Sequence, residues 1–446
     1  DIASLLARTP VNEVFGKDDP AIHFYEVFLE AYDRKKRNDL GVYYTPDQVV
    51  DYIVRSANTA LKEQFGLPLG LADLGTWVQV CKRTGAPVPK DLDAETPFVH
   101  VLDPATGTGT FVLHVIRQMR TELEQHWAAT NVPVGERAAL WDTFIHGALP
   151  RIGAFELGMA PYVVAHLRVG LLLDELAGEG GFVFREGERL GIYLTNTLQP
   201  TDANPVLIGT VGAIAKEGQA ADAWKRKLPV TVIVGNPPYD RLQGASEDEL
   251  EAGLQGKAGW LLKGDVAFSG RNSGPMQDWL EAASNAGRGG DIHNMYNLYV
   301  YFWRYSFWRV FERAASAGVC ALVTPSSFLV GPGFVGMRES FRRVSSALRV
   351  LDLGGDQRGT RVSANVFPIK TAVCVLTVVS RALSTGPEAG RYQRLEGTRE
   401  EKLVACSSVD GARGWQPLFA APQAVLLGKN DGIYFEIPEI STILPL

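Results

Sequence analysis

Asn236-Pro237-Pro238-Tyr239 combines an amide, rigid backbone carbonyls and an aromatic ring in four consecutive residues. The prolines remove two backbone donors and stiffen the chain. Such a set could hold a planar, amino-bearing ring by its two N–H bonds and stack on its face. Taken alone, the same residues also make a stiff strand-to-loop turn. Their position favours chemistry. They follow the apolar run Val230-Thr231-Val232-Ile233-Val234 and Gly235. That run has the length and β-branching of a buried parallel strand. The tetrapeptide should therefore stand at a strand's carboxyl end, where open α/β sheets place their ligands.

A second stretch points to the same edge. Phe98 to Asp103 reads as a strand, followed by Pro104-Ala105-Thr106-Gly107-Thr108-Gly109-Thr110 and a helix from Phe111 to about Leu123. Strand, Gly-rich turn and helix open a nucleotide-binding α/β unit. Val112 stands where a dinucleotide fingerprint has its third glycine. The carboxylate of Asp103 before the turn would repel a diphosphate and suit a cationic, amine- and hydroxyl-bearing ligand. This argues against NAD and toward a sulfonium cofactor. Two more strands, Arg151–Phe155 and Gly191–Thr195, lead into Glu156 and Asn196. Asp103, Glu156, Asn196 and Asn236 would then converge on one edge of a parallel sheet, although each alone is an ordinary turn residue.

The elements that must position them follow from periodicity. Residues 1–40 form an N-terminal helical segment, with a helix opening at Asp19-Pro20 and carrying Ile22, Tyr25, Phe28, Leu29 and Tyr32. Thr45, Pro46 and Gln48 form a capping box before a helix with Val49, Val50, Ile53, Val54 and Leu61 inside. Helices are expected over 135–147 and 161–176, the latter apolar almost all round and therefore buried. Residues 240–292 read as a loop-like insertion. The aromatic stripe from Met295 to Phe311 reads as core. Strands follow at 319–323, 350–353 and 371–379, with a helix over 333–348. Arg338, Arg342, Arg343, Arg358 and Arg361 are candidate phosphate contacts, the first three equally a solvated helix face. A catalytic domain over 41–385 and a linker or further region over 386–446 complete the division.

Composition bounds the rest. The 446 residues are 46% hydrophobic and 21% charged, an ordinary globular balance. The net charge of -6 means that any nucleic-acid surface must be local, or partly outside this piece. Cys81, Cys320, Cys374 and Cys406 form no Cys-x-x-Cys pair, and no zinc spacing exists. They suit a reducing compartment, so the expectation is a cytoplasmic protein without signal peptide or membrane span. Beginning at Asp1 and ending on Ile443-Leu444-Pro445-Leu446, the chain is expected to be a piece of a longer protein.

The order Tyr43-Tyr44-Thr45-Pro46, Asp103 to Phe111, Asn236 to Tyr239, Asn297-Leu298-Tyr299 and Thr324 to Phe328 resembles the gamma-class DNA adenine-N6 methyltransferases. It looks most like the methyltransferase module of type ISP and type IIG restriction-modification enzymes. The resemblance implies a Rossmann-like α/β fold, a mostly parallel sheet with helices on both faces, and S-adenosylmethionine as cofactor. It places Tyr44 and Thr45 at the methionine part, Asp103, Thr106 and Gly107 at the amino-acid end, Glu156 on the ribose, and Asn196 at the cofactor adenine, where relatives often have Asp. Asn236 and the Pro237 carbonyl would take the target amine. Tyr239, and Phe367 as a second ring, would stack on the base. Double-stranded DNA with a flipped adenine is the implied partner, with nuclease and helicase domains in the same longer chain. Methyltransferases acting on RNA or protein glutamine share the Asn-Pro-Pro-Tyr piece, and a catalytically idle DNA-binding scaffold of a defence complex is the alternative of another class.

Overall fold

A nine-stranded sheet organises the computed structural model of the chain, which describes residues 45–89, 92–200, 217–239, 259–314, 317–356, 363–382, 390–409, 414–419, 421 and 424–428. The strands are β1 Val101–Asp103, β2 Ile152–Glu156, β3 Ile192–Leu194, β4 Val232–Gly235, β5 Ala317–Pro325, β6 Ala347–Gly354, β7 Val373–Arg381, β8 Gly390–Arg394 and β9 Gln416–Pro417. Their spatial order is β3-β2-β1-β4-β5-β7-β6-β8-β9. From β3 to β5 every pairing is parallel. β7 runs antiparallel to both β5 and β6. This is the expected α/β class, a mostly parallel, doubly wound sheet.

The central strands are apolar on both faces, so alternate residues feed two separate cores. Val232 and Val234 of β4 point into one, and Ile233 into the other. Val319, Ala321 and Val323 of β5 oppose Cys320 and Leu322 in the same way. The first core is closed by the helices Asp47–Phe65, Thr110–Ala129, Val134–Ala148 and Met159–Ala177. The second is closed by the aromatic helix Leu298–Phe307 and its neighbours, with Tyr299, Tyr301, Trp303 and Tyr305 buried as expected. Helices therefore cover both faces.

Four expectations change. The helix Met159–Ala177 buries only one face, on Ala165, Val169, Leu172 and Leu173, and exposes a stripe of Met159, Val163, Leu167 and Leu171. An outer-layer helix meets its sheet on one side only, whatever its composition. The described part of the 240–292 stretch is helical: Gly259–Lys263, Val266–Ser269 and Met276–Asn285 bury Trp260, Phe268 and Trp279 in the second core. Its short helices are separated by Gly and Pro, which hid the periodicity. The boundary near 386 does not coincide with a sheet edge. β8 pairs with β6, and the helix Arg399–Ser408 packs on Asp47–Phe65, where Arg55 Nη2 donates to the Cys406 carbonyl at 2.8 Å. Finally, Arg338 and Arg342 are neither phosphate contacts nor solvated. Arg338 Nη1 donates to the carbonyls of Phe328 and Gly331, at 3.0 and 2.6 Å. Arg342 binds the carbonyls of Ala424, Phe419 and Val425, at 2.6, 3.2 and 2.9 Å. Arg343 alone of these three is exposed. The expected helical segment 1–40, Tyr44, residues 240–258, Arg358, Arg361 and residues 429–446 lie outside the described residues.

Arg342 thus fastens Phe419, Ala424 and Val425 to the nine-stranded sheet through charged hydrogen bonds, of the order of 1.5–3 kcal/mol when removed. Arg342→Met should raise amide hydrogen exchange across the described residues 414–428 and leave β5 and β7 protected. Unchanged exchange there would remove this role.

Candidate active site

β1, β2 and β4 end side by side, and their polar residues meet through short contacts. β4 ends in Gly235, which lies directly against Asp103. A Cβ built there would come within 3.0 Å of Asp103 Oδ1 and 3.4 Å of Pro104 Cδ. The absent side chain lets the Asn236 backbone and the Asp103 carboxyl share one edge. Asn236 Nδ2 donates to Thr45 Oγ1 at 2.8 Å, while Asn236 Oδ1 is buried with no hydrogen-bond partner among the described residues. Thr45 is thereby diverted from capping. The helix Asp47–Phe65 begins after Pro46 without a side-chain cap, so the expected capping box does not form. In this orientation the amide oxygen faces away from the Thr45 hydroxyl and keeps its acceptor capacity. Pro237 is buried, and Tyr239 is half-buried between the two cores, its hydroxyl donating to the Val323 carbonyl at 3.3 Å.

The Gly-rich turn is anchored at each step. Asp103, 2% exposed, accepts the Ala105 N–H on Oδ1 at 3.1 Å, and its Oδ2 has no hydrogen-bond partner among the described residues. The Thr106 N–H reaches the Phe155 carbonyl at 2.9 Å. Glu156 Oε2 accepts the Gly107 N–H at 2.9 Å, and Oε1 accepts the Gly158 N–H at 2.6 Å. Gly107 and Gly109 both have positive φ, at 55° and 83°, which only glycine adopts without strain. A Cβ on Gly109 would also press on Ala165 at 3.1 Å, so this glycine sets how closely the turn sits on the helix Met159–Ala177. On the other side of Glu156, its carbonyl accepts the Thr195 N–H at 2.7 Å. Asn196 follows, its Oδ1 accepting the Leu198 N–H at 3.0 Å, which leaves the Nδ2 donor for a ligand. Thr197 donates its hydroxyl to the Pro104 carbonyl and closes the ring of contacts.

The electrostatics are unusual for carboxylates. Burial pushes Asp103 up to about 7, with the Ala105 N–H and the nearby Thr106 hydroxyl opposing and the Glu156 charge adding. Burial likewise pushes Glu156 up to about 7 against three backbone N–H groups. Burial thus raises the proton affinity of two acids on neighbouring strands, a pattern common at functional sites. Burial also holds the Tyr239 phenol well above its ordinary range, so it stays protonated.

Thr45, Asp103, Thr106, Gly107, Glu156, Asn196, Asn236 and Pro237 therefore occupy one connected edge. Phe367 does not present an open ring. It is 2% exposed in the first core, and its N–H is held by Asn365, whose Nδ2 donates to the carbonyls of Gly355, Ile369 and Thr371. Two side chains that hold this edge in place escaped the sequence reading. Arg168 Nη1 grips the Gly-rich turn, donating to the Thr108 carbonyl at 2.7 Å and to the hydroxyls of Thr108 and Thr110 at 3.0 and 3.1 Å. A guanidinium inside an otherwise apolar helix was its signal, because a buried charge must find partners. Lys225, in Trp224-Lys225-Arg226-Lys227, gave no such signal, since its basic neighbours disguise it as surface. Among the described residues, no group of three or more His, Cys, Asp or Glu could hold a metal, and no helix is long and apolar enough to cross a membrane.

Three solved structures are similar over nearly all of the chain. The ATP-dependent type ISP restriction-modification enzyme LlaBIII bound to DNA is 23% identical, with a TM-score of 0.63, over 91% of this chain and 23% of that one. The DrdV–DNA complex is also 23% identical with a TM-score of 0.63, over 95% and 35%. A nuclease-deletion mutant of the type ISP enzyme LlaGI, in complex with a DNA substrate mimic, is 21% identical with a TM-score of 0.61, over 90% and 28%. This chain has their fold. It spans between 23% and 35% of their length, so it corresponds to one part of much longer chains. No family model and no curated protein matches it.

The raised carboxyls give a pH signature. Folded Asp103 and Glu156 keep protons up to about pH 7, whereas the unfolded chain releases them near the ordinary 3.8 and 4.5. The native state binds more protons in that window, so their contribution to stability is full below it and lost as pH rises through it. The melting temperature of the ligand-free protein should fall between pH 5 and pH 8 by more than that of Asp103→Asn. Parallel curves for the two proteins would refute the assignment.

Proposed function

We propose that this chain is the modification part of a restriction-modification enzyme, a site-specific DNA methyltransferase that moves a methyl group from S-adenosylmethionine to the N6 amine of a flipped adenine. The observation that carries the reading is the Asn236 amide: Thr45 takes its N–H, and Oδ1 is left buried and unpartnered beside Asp103. An acceptor held this way fits an amine donor. The type ISP likeness in fold, on enzymes solved with DNA, supports the substrate class.

The donor set fits the cofactor. Asp103, Thr106 and Gly107 would hold its amino-acid end, Glu156 its ribose, and Asn196 its adenine, with Tyr44 and Thr45 along the methionine. Two buried carboxylates, one with an unpartnered oxygen, suit a cation with amine and hydroxyl donors and repel a diphosphate. When bound, S-adenosylmethionine supplies an electrophilic methyl on sulfur.

The chain's own residues do the rest. An exocyclic adenine amine is a weak nucleophile, because its lone pair is delocalised into the ring. Asn236 Oδ1 and the Pro237 carbonyl accept its two N–H bonds, which favours pyramidal nitrogen and returns electron density to it. Tyr239 supplies the ring face and stays neutral. No strong base is needed, since the amine's acidity rises on alkylation. Orientation and fixed dipoles therefore carry the rate. The target sits inside a duplex, so it must leave the stack, and Tyr239 would receive it. Phe367 would join it only if the core around it opens. In this reading the protein works in the cytoplasm, with nuclease and helicase parts in the same longer chain, and a region beyond the catalytic sheet chooses the sequence.

Transfer of labelled methyl to mixed duplex DNA, RNA and a glutamine peptide, followed by nucleoside and amino-acid analysis, tests this directly. N6-methyladenine from DNA is the expected product. Methylcytosine, or label confined to RNA or peptide, would overturn the substrate. Asn236→Ala should cut transfer by at least ~100-fold, the scale of losing one oriented polar contact to the reacting centre, while calorimetric binding of S-adenosylmethionine persists. Equal loss of both would break the division of roles.

A further inference from the structure

We propose that Lys225 is the positioning residue for the adenosine end of the cofactor pocket, its buried ammonium locking the 195–199 turn that carries Asn196. The inference rests on the S-adenosylmethionine reading and adds a residue to it. Lys225 is 1% exposed and lies on the helical turn Ala223–Lys227, just before β4. Its Nζ donates to Thr195 Oγ1 at 2.8 Å, to the Asn196 carbonyl at 2.7 Å and to the Gln199 carbonyl at 3.0 Å. An ammonium has three donors, so all three are spent on one turn.

A lysine used only to fill space would not be built this way. Among the described residues Lys225 forms no ion pair; its hydrogen-bond partners are neutral oxygens, with the Phe155 ring and the Asp222 charge farther off. Burying an ammonium without a paired anion is costly unless hydrogen bonds replace its hydration shell. An apolar side chain of similar length would fill the volume without that cost. What the ammonium adds is geometry: it pulls the carbonyls of Asn196 and Gln199 to one point. The far side of the turn is held by Thr197 on the Pro104 carbonyl and by Trp260 Nε1 on the Leu198 carbonyl at 2.9 Å. Between these anchors the Asn196 amide is held by Oδ1, which accepts the Leu198 N–H. Lys225 touches no reacting atom. It acts through the turn.

The test is calorimetric binding of S-adenosylmethionine and of 5′-methylthioadenosine to wild type, Lys225→Met, Lys225→Arg and Thr195→Val, with melting temperatures without ligand as a separate measure of folding. Lys225→Met should weaken both ligands by about tenfold or more and by the same factor, since the adenosine end is common to both. Thr195→Val, which removes one of the three partners, should weaken them in the same direction and less. At saturating cofactor, kcat of the folded variants should stay within about twofold of wild type, so that the loss appears in KM. Wild-type affinity in Lys225→Met, or a loss of kcat with unchanged KM, would overturn the inference and leave the methyltransferase reading standing. Should Lys225→Met fail to fold, unchanged affinity in both Thr195→Val and Lys225→Arg would overturn it. Failure of wild type itself to bind S-adenosylmethionine would overturn the underlying reading.

Discussion

The close approach of β4 to β1 at their carboxyl ends is the constraint on which the candidate site depends. Gly235 has no side chain, and the Asp103 carboxyl fills the space a Cβ would claim. Without that approach, the amide of Asn236 and the two acids would belong to separate loops. With it, parallel pairing carries the arrangement outward. β1 sets β2 through a register of Asp103 with Ala154, and β2 sets β3 through Glu156 with Leu194. The edge is therefore as precise as the sheet itself, which is why a site built on strand ends can be pre-organised.

That precision is maintained against cost. Asp103 and Glu156 are buried acids, and Asn236 Oδ1 is a buried acceptor without a donor among the described residues. Each lowers the stability of the ligand-free protein, because a polar group removed from water needs a partner. A fold under selection for stability alone would not collect three such groups at one edge. Their concentration at one edge is the pattern expected of a functional site.

Backbone is held in place at this edge by side chains drawn from behind it. Arg168 grips the Gly-rich turn, Lys225 gathers the turn after β3, and Arg338 ties the turn after β5 through Phe328 and Gly331. Each is a cation hydrogen-bonded to carbonyl oxygens. Loops cannot pair their own carbonyls as strands do, and long basic side chains reach those carbonyls from the neighbouring layer. These three basic residues of an acidic protein are thus internal.

The α/β class, the order of strand and helix, and the polar residue at the end of each of β1 to β4 were legible in the sequence, because a two-faced apolar run followed by Asp, Glu or Asn is a local pattern. So was the aromatic core of Leu298–Phe307. Local pattern could not show that the helix Met159–Ala177 leaves an apolar stripe outside, since burial depends on which layer a helix joins. Nor could it show that the helices between Gly259 and Asn285 complete the second core, or that β8 extends the sheet past the expected boundary. Phe367 and Arg342 look like surface chemistry in one dimension and are core in three. By itself the sequence determined which residues could do chemistry and on which strands they ride. Tertiary structure alone decided which of them meet. Asn236 is held by Thr45, 191 residues earlier in the chain, and a hydrogen bond between residues so far apart leaves no trace in local spacing.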